Sequence, residues 1–134
     1  MKSLVFYMMV MLVFYTHFQG VYCQNQKALN ENFKEGEYFF NRGEYKDAVI
    51  YYLKLIDIDS LNANYNFKVG ECYLNIPTRE HLAIPYFERA SKRIVPKNKY
   101  KKKSLDEVHA PLHTYFYLGN AYRINNQLVQ KENA

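Results

Sequence analysis

Apolar side chains recur with helical spacing in the stretch KDAVIYYLKLIDID. Ala48, Tyr52 and Leu55 lie at i, i+4 and i+7, which places them on one face of an α-helix. The later stretch REHLAIPYFERASKRI repeats this spacing, and its Pro85 lies near the start, where a missing backbone N–H costs least. The pattern predicts two amphipathic helices. The matching positions of the second are Ala83, Phe87 and Ala90.

A six-residue motif precedes each of these helices. NFKEGE begins at Asn32, and NFKVGE, which differs from it at one position, begins at Asn66. A third, partial copy, YFYLGNAYRINN, begins at Tyr115 and is separated from the second by an insertion. The first two copies are spaced by about 34 residues, which is the length of a helix–turn–helix unit in repeat proteins. Each copy therefore predicts the first helix of such a unit.

Together these patterns predict an all-α fold of five helices and only a stub of a sixth, packed as antiparallel hairpins without a β-sheet. Glycine and alanine let two helices approach closely, so we expect six small residues to be buried at helix crossings. The predicted helices are 27–42, 45–58, 62–75, 79–95 and 111–125. The small residues are Gly36, Ala48, Gly70, Ala83, Ala90 and Gly119.

The first 23 residues differ from the rest of the chain. Lys2 gives a positive start, and a 12-residue apolar run, Leu4–Tyr15, follows it. This layout is typical of a secretory signal peptide, and the run is short for a membrane span. We expect cleavage after Cys23, so that the exported protein begins at Gln24. Two alternatives stay open: Cys23 is lipidated, or the segment is retained as an anchor.

Cysteine use follows from this expectation. If Cys23 leaves with the signal peptide, Cys72 is the one cysteine of the exported chain. An internal disulfide is then impossible, and the fold depends on packing. Cys72 lies beside Tyr73 on an apolar stretch, and we interpret it as a small buried residue.

Charge is unevenly distributed. Residues 92–103, KRIVPKNKYKKK, contain seven basic residues and no acidic one, whereas the whole chain has a net charge of +5. Such a patch either meets phosphates or an acidic partner, or is a solvated loop. Nucleic acid is a poor candidate partner for an exported protein, so we expect none.

The repeated residues resemble the tetratricopeptide repeat, which has a glycine, an aromatic residue, a small alanine and a second aromatic residue at fixed positions. The resemblance covers residues 28–130 and implies a helix–turn–helix solenoid of two full repeats and a partial third. The domain would then be residues 24–134, with a basic insertion at about 96–110. The matching residues are Gly36, Phe39, Ala48 and Tyr52 in the first copy, and Gly70, Tyr73, Ala83 and Phe87 in the second.

A narrower resemblance lies in the phrases CYLNIP, AIPYFERA and YLGNAYRINNQL, with a lysine-rich segment between the last two. They resemble the N-terminal repeats of OmpA-family proteins of Bacteroidetes bacteria. In that family the repeats precede a β-propeller-like segment and a peptidoglycan-binding domain. The resemblance implies a periplasmic, outer-membrane-associated location in the cell envelope.

The end of the chain adds an expectation. VQKENA, residues 129–134, falls inside what would be the second helix of the third repeat. We therefore expect a truncated product or a fragment. The uncovered apolar stripe of that repeat predicts marginal stability or self-association of residues 24–134.

The repeat resemblance also implies a concave groove that holds an extended peptide. Phenylalanine rings would give apolar contact, and amide side chains would bond the peptide backbone. We expect Phe67→Ala and Asn75→Ala to weaken capture without unfolding the domain. The alternative is that the phenylalanines pack against neighbouring helices. The groove residues would be Asn30, Phe33, Glu37, Phe40, Asn41, Asn64, Phe67, Glu71, Leu74, Asn75, His113, Phe116, Asn120, Arg123 and Ile124.

Candidate chemistry changes this picture little. His109 and His113 are spaced i, i+4, but Pro111 lies between them and a third ligand is not evident, so we expect no metal site. Glu37 and Glu71 are interpreted as a solvated face. We expect no cofactor and no enzymatic activity. Two functions stay open: a scaffold that binds a protein or peptide partner in the envelope, and a passive structural spacer.

Overall fold

Helices account for most of the backbone. The computed structural model describes residues 2–133, and within that range it describes all side chains other than those of residues 2–5, 16–23 and 132. The fold is therefore predominantly helical, as the periodicity predicts. The elements are α1 (Lys2–Asn41), α2 (Tyr45–Ile58), α3 (Ala63–Leu74), a 3-10 helix (Glu80–Ala83), α4 (Ile84–Ala90), β1 (Ile94–Val95), β2 (Ala110–Pro111) and α5 (Thr114–Glu132).

One glycine sets the turn between α1 and α2. Gly43 has a φ of 76°, a left-handed conformation that glycine adopts without a steric penalty. Its N–H donates to the carbonyl of Phe40 at 3.0 Å, and the N–H of Glu44 donates to the carbonyl of Phe39 at 3.0 Å. These bonds satisfy the carbonyls of Phe39 and Phe40 at the end of α1, and α2 then folds back to pack against it.

Helix α3 is the centre of the fold. It packs against α2 on one side and against the 3-10 helix and α4 on the other. Every residue from 63 to 72 is buried, polar residues included. Its first turn is capped by Asn62, whose side chain accepts a hydrogen bond from the N–H of Tyr65 at 3.1 Å. A helix that is buried on all sides must find partners for its polar side chains inside the protein.

Two apolar clusters meet at α3. The first joins α1, α2 and α3 around Phe33, Tyr52 and Val69. The second joins α3, α4 and α5 around Phe67 and Phe87. Consecutive helices thus share their apolar faces, which accounts for the spacing of apolar positions along the chain.

The small residues lie as expected at five of the six predicted positions. Gly36, Gly70 and the three alanines are buried. Gly119 is exposed, and a methyl group there would meet nothing within 4 Å. The prediction for Gly119 is wrong because no described residue covers that side of α5.

The predicted fourth helix, residues 79–95, is shorter and divided. Pro85 has no N–H to donate, and its ring opposes the carbonyl four residues earlier, so α4 starts anew at Ile84 with the proline in its first turn. A 3-10 helix precedes it. α4 ends at Ala90, because the chain then turns into β1.

Strands β1 and β2 pair in parallel, with Ile94 opposite Ala110 and Val95 opposite Pro111. The expectation of a fold without a sheet is therefore wrong. The N–H of Ala110 also donates to the carbonyl of Arg93 at 2.8 Å. The pair closes the base of the predicted insertion. We refer to residues 96–109 between the strands as the insertion loop.

The last predicted boundary is also wrong. Residues 111–113 belong to β2 and the turn after it, so α5 begins at Thr114 and continues to Glu132 without a break. The stretch NNQLVQKE contains no glycine or proline that would end a helix near residue 125. The expected stub of a sixth helix is therefore the last part of α5.

Helix α1 begins at Lys2 and not at residue 27. No proline interrupts residues 2–41, so a single helix runs through the segment assigned to a signal peptide. Among the residues that the structure describes, no helix is long and apolar enough to cross a membrane. Removal of residues 1–23 stays a prediction, and the side chain of Cys23 lies outside the described residues.

A candidate binding face covered by the insertion loop

The fifteen predicted groove residues are in three kinds of environment. The middle of the predicted groove is closed to solvent, whereas its two ends are open. The buried residues are Phe33, Asn64, Phe67 and Glu71; the half-buried ones are Glu37, Phe40, Leu74, Asn120 and Ile124; the exposed ones are Asn30, Asn41, Asn75, His113, Phe116 and Arg123.

The insertion loop covers the middle of this face. The ring of Tyr100 packs edge-on against Phe67, with 6.2 Å between the ring centroids. Its hydroxyl donates to Oδ1 of Asn64 at 2.6 Å. The Nζ of Lys102 lies 5.7 Å from the centre of the Phe40 ring. An aromatic ring and a cation from the same chain thus occupy the place predicted for a peptide.

Phe67 is a core residue in this arrangement. Its ring also packs against Phe87, His113 and Tyr117, and it is 1% exposed. Truncating such a ring costs about 3–5 kcal/mol. The expectation that Phe67→Ala leaves the fold intact is therefore wrong, and the alternative that these rings pack against neighbouring helices holds for Phe67.

A buried ion pair lies beside the covered face. Lys68 forms a salt bridge with Glu37, and the hydroxyl of Tyr52 donates to the same carboxylate at 2.7 Å. The Nζ of Lys68 also lies between 5.4 and 5.9 Å from the ring centres of Phe33, Phe40 and Tyr52. The lysine side chain is 1% exposed and that of Glu37 is 13% exposed. Charge and ring contacts together offset the loss of hydration at Lys68.

Sequence reasoning missed Lys68. It is the third residue of NFKVGE, and Lys34 is the third residue of NFKEGE, but Lys34 is exposed. The two copies therefore put the same residue into opposite environments. The available signal was the position of this lysine, within a helix whose other residues the apolar pattern predicts to be buried.

Glu71 is the second acidic group of this face. Burial raises its pKa to about 7, and the charge of Glu37 adds to the rise, while Lys68 and Lys102 oppose it. The interpretation of Glu37 and Glu71 as a solvated face is wrong, because the carboxylate of Glu37 is bound by Lys68 and Tyr52 and Glu71 is buried.

Two buried polar atoms of this face have no hydrogen-bond partner among the described residues. They are Oε2 of Glu71 and Nδ2 of Asn64. Asn64 is fully buried and Glu71 is 9% exposed. Buried polar groups are nearly always paired, so these two atoms mark a place where the insertion loop satisfies α3 incompletely.

The base of the insertion loop has hydrogen bonds of its own. The carboxylate of Glu107 accepts hydrogen bonds from the N–H groups of Lys101 at 2.8 Å and His109 at 2.9 Å. Burial raises the pKa of Glu107, but these bonds outweigh burial and lower it overall. The carbonyl of Val108 accepts from the N–H of Ala63 at 3.1 Å, and that of Leu105 accepts from the hydroxyl of Tyr65 at 3.3 Å.

The ends of the face stay open. Beside α1 there is a pocket of about 350 Å³. On α5, Phe116 is 71% exposed, and Arg123 donates to the side chains of Asn120 and Gln127. The pocket is lined by Asn30, Phe33, Lys34, Glu37, Asn41, Lys103 and Leu105.

The candidate metal-ligating histidines have other contacts. His109 Nδ1 lies 3.2 Å from Oε1 of Glu107, and His113 packs on Phe67 and Tyr117. Within the described part of the chain, histidine, cysteine, aspartate and glutamate side chains form no group of three or more that could hold a metal ion. Cys72 is buried as expected, and burial raises the pKa of its thiol.

Comparison with protein-family models found no match for this chain, and searches of curated proteins and of solved structures found no similar protein.

Proposed function

We propose that this chain is an exported protein-interaction scaffold of the cell envelope, built of tetratricopeptide-type repeats. Two observations support the repeat assignment. Gly36 lies against the ring of Tyr52, and Gly70 lies against the ring of Phe87. The same kind of glycine–ring contact therefore occurs within each of the two helical hairpins. The motifs that carry these glycines begin at Asn32 and Asn66, which is the spacing of such repeats.

One observation carries the binding role. The face of α3 presents a buried carboxylate oxygen of Glu71 and a buried amide nitrogen of Asn64, and neither has a partner among the described residues. A purely structural helix at the centre of a fold would have apolar or paired side chains at these positions. An extended peptide offers both a donor and a carbonyl acceptor, which suits these two groups.

A second function is supported by a different observation. The insertion loop already fills the middle of the face, with Tyr100 against Phe67. A passive spacer in a larger envelope protein would need no open groove. In that role the loop would be part of the core, and the chain would bind no peptide.

Selection from a random peptide library on the full-length chain separates the two functions. A scaffold yields peptides whose affinity falls at least fivefold in Glu71→Gln, a variant of nearly unchanged shape that removes the carboxylate. Glu35→Gln is the matched control, because Glu35 is exposed on α1 and is not one of the predicted groove residues. A library that yields no peptide sensitive to Glu71→Gln refutes the binding role and favours the spacer.

A further inference from the structure

We propose that the tip of the insertion loop, residues 97–103, is a displaceable internal ligand, and that the partner of this face is an extended basic segment with an aromatic residue two positions before a lysine. This inference rests on the scaffold function proposed above. It adds the chemistry of the partner and the competitor that the partner must displace.

The tip is attached to the face by few contacts. Tyr100 contacts Asn64 and Phe67, and Lys102 lies over the ring of Phe40. Five of the seven tip residues are lysines, and all five are exposed.

The base of the loop does not depend on these contacts. Strand β1 pairs with β2, and the carbonyl of Val108 accepts from the N–H of Ala63. Glu107 accepts from the N–H of His109 and also from that of Lys101, so the backbone of the tip stays attached and release concerns its side chains. The two side chains of the tip can therefore leave the face while the β-pair stays formed. Release of the tip exposes the buried atoms of Asn64 and Glu71 described above.

Charge selects a basic partner. Without the tip, the ionisable groups at the centre of the face are Glu37, Glu71 and Lys68. Lys68 is already paired with Glu37, which leaves Glu71 without a cation of its own. The tip supplies Lys102, but its ammonium group lies over Phe40 and makes no hydrogen bond to Glu71 among those described. A lysine that reaches Glu71 would bind better than Lys102 does.

The unpaired amide of Asn64 defines a second feature of the partner. Its Oδ1 accepts from the Tyr100 hydroxyl, whereas Nδ2 has nothing to donate to among the described residues. A partner with a tyrosine in the same place, and a backbone carbonyl beside it, would use both atoms of the amide. The tip therefore carries the pattern that we expect in the partner, a tyrosine followed two residues later by a lysine. It is an imperfect ligand because it leaves Asn64 Nδ2 and Glu71 Oε2 without hydrogen bonds.

The test is binding of a fluorescent peptide, PKNKYKKKSLD, which is residues 96–106, to the full-length chain. In Tyr100→Ala/Lys102→Ala the internal ligand is removed, and we expect the peptide to bind at least tenfold more tightly than to the wild-type chain. Adding Glu71→Gln to that variant should reduce the affinity again. A second variant, Tyr100→Phe/Lys102→Ala, keeps the ring packed on Phe67 but removes the hydroxyl and the ammonium group. It replaces the first variant in the binding measurement if the first does not fold.

A scrambled peptide of equal composition, with no lysine two residues after its tyrosine, separates pattern from charge. Equal binding of the two peptides, or equal binding to wild type and to both variants, overturns the proposal. If the library yields Glu71-dependent peptides without this pattern, the scaffold stands and the internal-ligand proposal fails. If neither the tip peptide nor any library peptide binds to either variant, both proposals fail.

Discussion

The ring of Phe87 lies directly against the Cα of Gly70. A methyl group at position 70 would be 2.6 Å from Cε1 of that ring, which is closer than real side-chain contacts allow. Phe87 is fully buried, so the ring has no free space into which to move. The contact fixes the approach of α3 and α4, and it has a counterpart between Gly36 and Tyr52 in the preceding hairpin.

We predict that Gly70→Ala lowers the free energy of unfolding. Overpacking against Phe87 costs about 1–3 kcal/mol. The higher helix propensity of alanine offsets up to about 1 kcal/mol of this loss in stability. Gly36→Ala should behave in the same way, because the ring of Tyr52 is equally enclosed. Urea unfolding of each variant measures the change.

Gly119→Ala is the matched control, since it is the third glycine of the series and a methyl group there meets nothing within 4 Å. Helix propensity alone then applies, and stability should rise by up to about 1 kcal/mol. Equal effects of Gly70→Ala and Gly119→Ala would contradict the close contact of α3 with Phe87.

A second prediction concerns the buried ion pair. Lys68→Met leaves the carboxylate of Glu37 with the hydroxyl of Tyr52 as its remaining hydrogen-bond partner among the described residues, and we expect a loss of about 3–5 kcal/mol. Combining it with Glu37→Gln should cost less than the sum of the two single changes, because each partner is unfavourable when buried alone. A double-mutant cycle in urea measures this coupling. Lys34→Met, at the exposed equivalent position, should change stability by no more than about 0.5 kcal/mol.

A third prediction is a pH dependence that Glu71 causes. Its pKa is about 7 in the folded protein, against about 4.3 in an unfolded chain. The folded state therefore holds the proton more tightly, and this stabilisation is complete below pH 4 and is lost as the pH rises through 7. The loss is on the order of 3 kcal/mol. Lys68, Lys102 and Glu37 are the charges that act on this carboxyl.

Unfolding measured from pH 5 to pH 8 tests this. Glu71→Gln removes the titration, so the stability of the variant relative to wild type should increase from pH 5 to about pH 7 and level off above it. Other groups titrate in both proteins and cancel in the difference. Parallel stability curves for the two proteins would show that Glu71 has an ordinary pKa.

A fourth prediction concerns the N-terminal segment. If residues 1–23 are a signal peptide, N-terminal sequencing of the protein from an envelope fraction of an expressing bacterium should begin at Gln24. A fatty-acylated Cys23 in its mass spectrum would identify the lipoprotein alternative. Intact residues 1–23 in the mature protein would contradict both and indicate a retained anchor.

A fifth prediction concerns self-association of residues 24–134. Tyr115, Phe116 and Tyr122 expose apolar surface on α5, and exposed apolar patches favour association. Phe116→Ser should lower concentration-dependent light scattering while it leaves the melting temperature nearly unchanged, because the ring is exposed. Tyr38→Ser on α1 is the control for an exposed ring elsewhere. A monomer at all concentrations in the unmodified domain would refute the prediction.

Local pattern was sufficient for the helical hairpins. Ala48, Tyr52 and Leu55, and their counterparts Ala83 and Phe87, predict buried helix faces, and they are buried. This succeeds because the apolar face of a helix is read from spacing alone. The boundaries were less predictable, since they depend on single residues such as Pro85.

What only the tertiary structure decided is the state of the candidate face. Lys34 and Lys68, and Glu37 and Glu71, are equivalent in the two copies of the motif, yet their surroundings differ. The difference arises because α3 is packed from both sides and covered by Tyr100, which lies far from Asn64 along the chain. The sequence by itself determined which residues form helices and which sides of them are apolar. The distant loop decided which polar residues of α3 are buried, because burial depends on what packs over a side chain and not on its neighbours in sequence.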